Sequence, residues 1–389
     1  MSETHVTEET HGAERSSVRQ WVTLRNSSMD VRAGVGTSVT FAHDLRSCVG
    51  KPHCCALVHE GDADELVSRL RVDLLAEGFE VRLIEMPAGG CELARAGALD
   101  ALFAKAGITA DDLVVAAGGE KTLSVASFAC ASWCGGVSLA EVPLDLVSAL
   151  TAGTTPLALD VPGAPSLVVQ EGSARFSLVD VDLLGFDPVR EQARLAFAHM
   201  VATAMDDSDK AFGRLWDSAP DLMAGDFSAL VTQLLDTVKS RGKVVSSTSL
   251  ATRQSAAYGQ DFARALAGLV GPEVPASATL GDALRFSARL AVGMEQFSVD
   301  DMLCQDELLE RLGVGTTAAV VDPEVLVRAL KAERFRRSRR FMLPLPRAIG
   351  RVRLAIVADD LIAEHARAWC AARPVPPEGP AQNNLEREE

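Results

Sequence analysis

The side chains that could do chemistry in this chain of 389 residues are few and scattered. In the stretch YGQDFARAL, from Tyr258 to Leu266, Asp261 and Arg264 stand three residues apart. On a helix they are neighbours, so carboxylate and guanidinium can pair. His199 lies in the apolar helical stretch LAFAHMVA, where an imidazole is either a hydrogen-bonded core residue or a general acid or base. Zinc chemistry is poorly served, because a catalytic zinc takes three protein ligands. The seven histidines include no H-x-x-x-H pair, and the eight cysteines form no C-x-x-C pair. Cys130 and Cys134 share a helical face, but two thiols without further ligands pack as small hydrophobes. No metal site is expected.

One segment has the setting of an anion site. AAGGEKT follows a buried strand and opens a helix, where backbone N–H groups and the helix dipole can hold a phosphate. Gly118, Gly119 and Glu120 are therefore candidates for binding a dinucleotide. The segment is neither a G-x-G-x-x-G nor a G-x-x-x-x-G-K-[ST] motif, and a tight turn without a ligand is the alternative. Between Lys331 and Arg340 six of ten residues are basic. That cluster suits an anionic substrate, or a solvated face paired with acidic neighbours.

The elements that must position these groups change character once along the chain. Residues 1–20 and 373–389 are polar, charged or proline-rich and are expected to be disordered tails. Over 21–187 short apolar runs alternate with amphipathic stretches: CCALVHE, EVRLIEM, DLVVAAGG and VSLAEVP as strands, ADELVSRLRVDLLAEG and AGALDALFAKAG as helices. That alternation implies a Rossmann-like α/β domain with a parallel sheet. From 188 to 372 the strand signal fades and a mainly α-helical domain is expected.

The bulk composition narrows the function classes. At 48% apolar and 23% charged residues the profile is that of a globular protein with sizeable cores. A net charge of −15 argues against nucleic acid or an anionic membrane as partner. The N-terminus lacks the apolar core of a signal peptide, and no run suits a membrane span, so a cytoplasmic setting is expected.

The order of segments resembles the 3-dehydroquinate synthase family of sugar-phosphate cyclases from about Val31 to Trp369. DLVVAAGGEKTLSVASFACASWCGGVSLAEVPLDLVSAL resembles that family's glycine turn, helix, "RG" strand and "PTTLLA" stretch. FSLVDVDLLGFDPVREQARLAF resembles the lead into its metal-binding glutamate helix, RQSAAYGQDFARAL its "R-x-x-L-N-x-G-H-T-x-x-H-A" helix, and FRRSRRFMLPLPRAIGRV its closing strand pair. The resemblance implies a dehydroquinate synthase-like fold and a homodimer. It also implies a zinc site of one glutamate and two histidines, whose positions here fall on Ala198, Gln260 and Leu280. A further catalytic histidine becomes Arg264, the helix asparagine Ala257, and the third glycine of the turn Glu120. The aspartate after that turn becomes Ser124, and the arginine before the next strand Gly135. The "D-x-x-x-G-G-K" loop becomes Thr151–Leu157, and the paired lysines Glu333 and Arg334. Arg253 is kept.

A neutral amide such as Gln260 is a poor zinc ligand, so no zinc is expected. Glu120 would repel a pyrophosphate, which leaves NAD a minor expectation. The cleft implied by the resemblance would be lined by Glu120, Lys121, His199, Arg253, Asp261, Arg264 and Asp282. His199, Asp261 and Arg264 are the candidate catalytic residues; Arg253, Gln260, Asp282 and Lys121 are the candidate contacts to a small anionic metabolite. Two readings follow: an enzyme repurposed for metal-independent proton transfer, or a non-catalytic relative that binds a ligand or stabilises a partner enzyme. An authentic synthase is the remaining alternative. The Ala-, Arg- and Val-rich, Lys-poor composition suggests a high-GC bacterium and, by analogy, specialised-metabolite biosynthesis.

Overall fold

The computed structural model describes residues 17–373 apart from 51, 53, 62 and 63. The expected tails over 1–16 and 374–389 lie outside the described residues. Residues 17–20, read above as tail, are instead strand: SVRQWVT alternates too weakly to stand out, but it pairs in full register with the strand that follows.

Seven strands form the main sheet: β1 (Ser17–Thr23), β2 (Ser28–Gly34), β3 (Cys54–His59), β4 (Glu80–Glu85), β5 (Leu113–Gly118), β6 (Ser138–Pro143) and β9 (Phe176–Asp180), in the order β1-β2-β9-β6-β5-β3-β4. A small hairpin, β7 (Leu159–Val161) and β8 (Ala164–Val168), precedes β9. All neighbours in the sheet are parallel except β1, which runs antiparallel to β2. The sheet is therefore parallel with one antiparallel edge strand. Every residue of β5, LVVAAG, is buried, because both faces of a parallel sheet are covered and its strands read as continuous apolar runs. One face is covered by α1 (Phe41–Val49) and α2 (Asp64–Ala76), with Phe41, Leu45, Leu70 and Leu74 against Leu57 and Val115. The other face receives α3 (Leu93–Ala106), α4 (Glu120–Ser132) and α5 (Leu146–Thr151), and its core continues unbroken into the helical part.

That part comprises α6 (Glu191–Asp207), α7 (Asp209–Met223), α8 (Phe227–Val245), α9 (Leu250–Ser255), α10 (Gln260–Ala267), α11 (Ala276–Gly293), α12 (Val299–Arg311), α13 (Pro323–Phe335) and α14 (Asp359–Ala371). Side-chain caps start several of these helices: Ser208, Asp226, Ser298 and Asp322 each accept a backbone N–H of the first turn. The strand signal does not vanish here, since β10 (Met342–Ala348) and β11 (Arg351–Ile356) form an antiparallel hairpin. α6 is apolar on nearly every side because it runs between α5, α7, α8, α11 and α12.

Candidate functional site

β5 ends at Gly118 and α4 begins at Glu120, so the candidate anion turn sits at the carboxyl ends of the parallel strands, where open α/β sheets hold ligands. The glycines are there for close approach: a Cβ on Gly119 would lie 2.7 Å from Asp145 Oδ2, and one on Gly118 2.7 Å from Thr122 Cγ2. Two carboxylates thus crowd the helix N-terminus that a pyrophosphate would use. Glu120 turns towards α5, where Thr151 Oγ1 donates to its Oε1 at 2.7 Å, and burial pushes its carboxyl above the ordinary range. Lys121 is exposed beside it. A cavity of about 480 Å³ is lined by Leu144, Leu183, Phe186, Arg190 and Glu191 among others, with no residue of the turn in its wall.

His199 is half-buried on α6. Burial, and then the nearby Arg241 guanidinium, push its imidazole down to about 3, so it is neutral at physiological pH. Thr203 and Asp206 follow on the same face at helical spacing and make a polar stripe on an otherwise apolar helix. Arg241, a buried residue of α8, crosses this stripe. Its Nη1 donates to Thr203 Oγ1 at 3.2 Å, its Nη2 bonds Thr155 Oγ1 in the α/β part, and its Nε has no partner. Burial lowers the guanidinium to about 10, against the opposing pull of Glu120 and Asp206. Asp206 in turn accepts from Ser255 Oγ at 2.7 Å, and burial raises it to about 6. The sequence reading missed Arg241 and Asp206. The available signal was polar residues recurring at helical spacing on buried faces.

Asp261 and Arg264 do pair, at 3.1 Å, but the pair belongs to a larger network. Arg264 Nε also reaches Glu333 on α13 at 2.9 Å, Arg334 lies 3.6 Å from Asp261, and Arg337 and Arg336 both reach Glu333. Asp261 is only 3% exposed between two guanidinium groups; Arg264 bonds its Oδ1, while its Oδ2 is buried 3.6 Å from Arg334 with no hydrogen-bond partner. Both candidate catalytic side chains, Asp261 and Arg264, thus stand in an ion-pair network. The same geometry resolves the basic cluster, where Lys331 joins Asp359 as well.

Asp282 is ion-paired as well. It lies two residues beyond Leu280, so α11 carries it to a different face. There it accepts Thr317 N at 2.8 Å and pairs with Arg373. Arg253 spends Nη1 on the carbonyls of Ser247 and Thr248, 2.7 and 3.3 Å away, and so braces the loop before α9. Gln260 is the half-buried first residue of α10. It follows Gly259, whose φ of 78° would strain any side chain and whose Cβ position lies 2.9 Å from a Leu284 methyl.

The three positions onto which the resemblance carries a zinc site lie on α6, α10 and α11, with α11 packed against both of the others. Ala198 is fully buried, Leu280 is 3% exposed, and both are hydrocarbon. With one amide between them they do not fit a divalent cation. Among the described residues no group of three or more His, Cys, Asp or Glu is placed to hold a metal ion. No helix of the described chain is long and apolar enough to cross a membrane.

No protein-family model matches the chain. Among curated sequences it is 24% identical over 335 residues to 3-dehydroquinate synthase of Rhodopirellula baltica, covering 82% of this chain and 86% of that enzyme. It is 27% identical over 305 residues to that of Gloeobacter violaceus, covering 74% and 81%. Among solved structures, 2-deoxy-scyllo-inosose synthase, complexed with carbaglucose-6-phosphate, NAD+ and Co2+, superposes with a TM-score of 0.77 at 16% identity over 90% of this chain and 100% of that one. The 2-epi-5-epi-valiolone synthase of Streptomyces hygroscopicus, with NAD+ and Zn2+ bound, gives 0.73 at 16% identity over 90% and 98%. The solved structures share the fold, and the curated relatives, matched over most of their length, support a cyclase-like function. The chain is 3-dehydroquinate synthase-like in sequence over most of its length, and it shares the fold of the two solved synthases.

Proposed function

We propose that this protein is a dehydroquinate synthase-like fold repurposed for metal-independent acid/base chemistry on a small anionic metabolite, by cyclisation, elimination or isomerisation. The observation that carries the reading is the exchange of donors at the positions the resemblance assigns to a cation. Hydrocarbon and an amide stand there, while the Arg241 guanidinium lies near enough to the His199 imidazole and the Glu120 carboxyl to act on both electrostatically. The unpartnered Nε–H of Arg241 is the donor for the ligand's anionic group. Glu120, its carboxyl held up by burial, supplies a proton. His199 accepts one, and an anion seated on Arg241 would cancel the charge that helps hold its imidazole down.

The chemistry proposed is redox-neutral. The Asp145 carboxylate, whose Oδ2 lies within 2.7 Å of where a Cβ on Gly119 would sit, does not fit a pyrophosphate at the glycine turn, so NAD is not a cofactor in this reading. Specialised-metabolite biosynthesis in a bacterium and assembly as a homodimer belong to the same proposal.

The test is a thermal-shift screen of the full chain against sugar phosphates, carboxylic acids, NAD+ and zinc, with metal analysis of the purified protein. Binding raises the melting temperature by mass action. The expected result is a shift with one class of small anion, abolished in Arg241→Met, and sub-stoichiometric zinc. Stoichiometric zinc, a shift with NAD+, or zinc-dependent formation of dehydroquinate would overturn the reading in favour of an authentic synthase.

A second reading, a non-catalytic relative that stabilises a partner enzyme, is favoured by one observation. The Asp261–Arg264–Glu333 network ties up side chains at positions where the family keeps catalytic and substrate-binding groups. In that case no anion shifts the melting temperature, and His199→Ala is indistinguishable from the wild type.

A further inference from the structure

Among the described residues, two side-chain hydrogen bonds cross from the helical part to the α/β part. One is Arg241 to Thr155. The other joins Arg337, just beyond α13, to the β7–β8 hairpin: Nη2 donates to the Ser166 carbonyl oxygen at 3.0 Å. The same guanidinium holds Glu333 Oε1 through Nη1 at 2.5 Å, and that oxygen also accepts from Arg264 Nε at 2.9 Å. A chain of charge-assisted bonds therefore runs from α10 through α13 to the hairpin. Such bonds are strong and geometrically defined.

The receiving end is held in an uncommon conformation. Ser166 has a φ of 55°, in the left-handed region that non-glycine residues avoid. Asp160 keeps it there, since its Oδ1 accepts Ser166 N at 2.6 Å and lies 3.4 Å from the hydroxyl. Asp160 N in turn donates to Cys91 O at 2.8 Å, which ties the hairpin to the start of α3. Elsewhere the junction between the two parts is close backbone packing, with α8 on β1 and β2 and α5 on α6.

We propose that Glu333–Arg337–Ser166 is a strap that holds the hairpin onto the helical part, and that its release lets the two parts separate at α13 while the packing of α8 on β1 stays intact. What the separation would admit rests on the function proposed above; the strap itself does not. It is a polar contact beside a packed junction, so it is the edge of the junction that opens first.

Hydrogen–deuterium exchange on the full chain tests this. In Arg337→Met the amides of residues 159–168 exchange at least tenfold faster than in the wild type, while peptides from α8 and β1 keep their rates. Ser166→Gly retains the carbonyl and suits the left-handed φ, so its hairpin exchanges as the wild type does. Hairpin exchange in Arg337→Met within twofold of wild type would overturn the proposal. So would a uniform rise across the helical part, because that reports general loosening. If Arg337→Met does not fold, Arg337→Gln is compared instead. Faster hairpin exchange in that variant, with α8 unchanged, supports the strap, and rates equal to the wild type overturn it. Loss of a ligand-induced thermal shift in Arg241→Met with hairpin exchange unaltered would bear on the proposed function alone.

Discussion

Replacing Asp261 by alanine separates a structural carboxylate from a catalytic one. Its side chain is 3% exposed, and its two partners differ: Arg334 is 8% exposed, Arg264 36%. Removing the carboxylate strands the buried Arg334 guanidinium, whose Nε already lacks a partner. Breaking a buried pair from one side costs about 3–5 kcal/mol. Arg264 keeps Glu333 and reaches solvent, so the lower end applies, about 3 kcal/mol. In a unit of this size that is roughly a 6–12 °C fall in melting temperature. Urea denaturation followed by circular dichroism reads the loss, provided that helix content and tryptophan fluorescence report one coincident transition. The cycle with Arg334→Met isolates the pair, and the double variant should recover much of the loss, because the stranded charge is gone. A loss under about 1 kcal/mol accompanied by abolished turnover would refute the reasoning and restore Asp261 as an acid or base.

Two further outcomes follow from the core. Glu141 in β6 is 1% exposed, its Oε1 has no partner, and burial raises its carboxyl from 4.5 to about 8. The folded state therefore holds the proton more tightly than the unfolded one. Its contribution is complete below the unfolded value near 4.5 and is lost as pH rises through about 8, at roughly 1.4 kcal/mol per pH unit. Glu141→Gln should flatten that fall in a pH series of urea midpoints, and a wild-type curve already flat from pH 5 to 8 would contradict it. At Gly242 an added Cβ would meet Val22 and lie 2.9 Å from Thr23 O, where α8 packs on β1. Gly242→Ala should cost about 1–3 kcal/mol by overpacking, despite the ~1 kcal/mol that alanine ordinarily gains in a helix. A raised melting temperature would show that α8 can move off the strand.

The pattern of apolar runs, the helix-starting Ser and Asp residues, and the glycine turn after DLVVAAGG are local properties of the chain. They determined the α/β-then-helical order and the place of Gly118–Glu120 without tertiary help. The absence of imidazoles around Gln260 and Leu280 was equally plain, because side-chain chemistry needs no fold to be read. The β1–β2 pair and the β10–β11 hairpin were harder. SVRQWVT is a polar edge strand whose partner, not its own periodicity, makes it a strand.

Side-chain partnerships were decided only in three dimensions. Asp261 and Asp282 look alike in sequence, yet one is enclosed by arginines from α10 and α13 and the other by Arg373 from beyond α14. Arg241 reads as one more cation on an amphipathic helix until α6 and α8 cross and bury it beside His199. Whether a charged group is spent or available depends on what lies within a few ångströms of it, and between residues distant in sequence that distance is set by packing rather than by order along the chain.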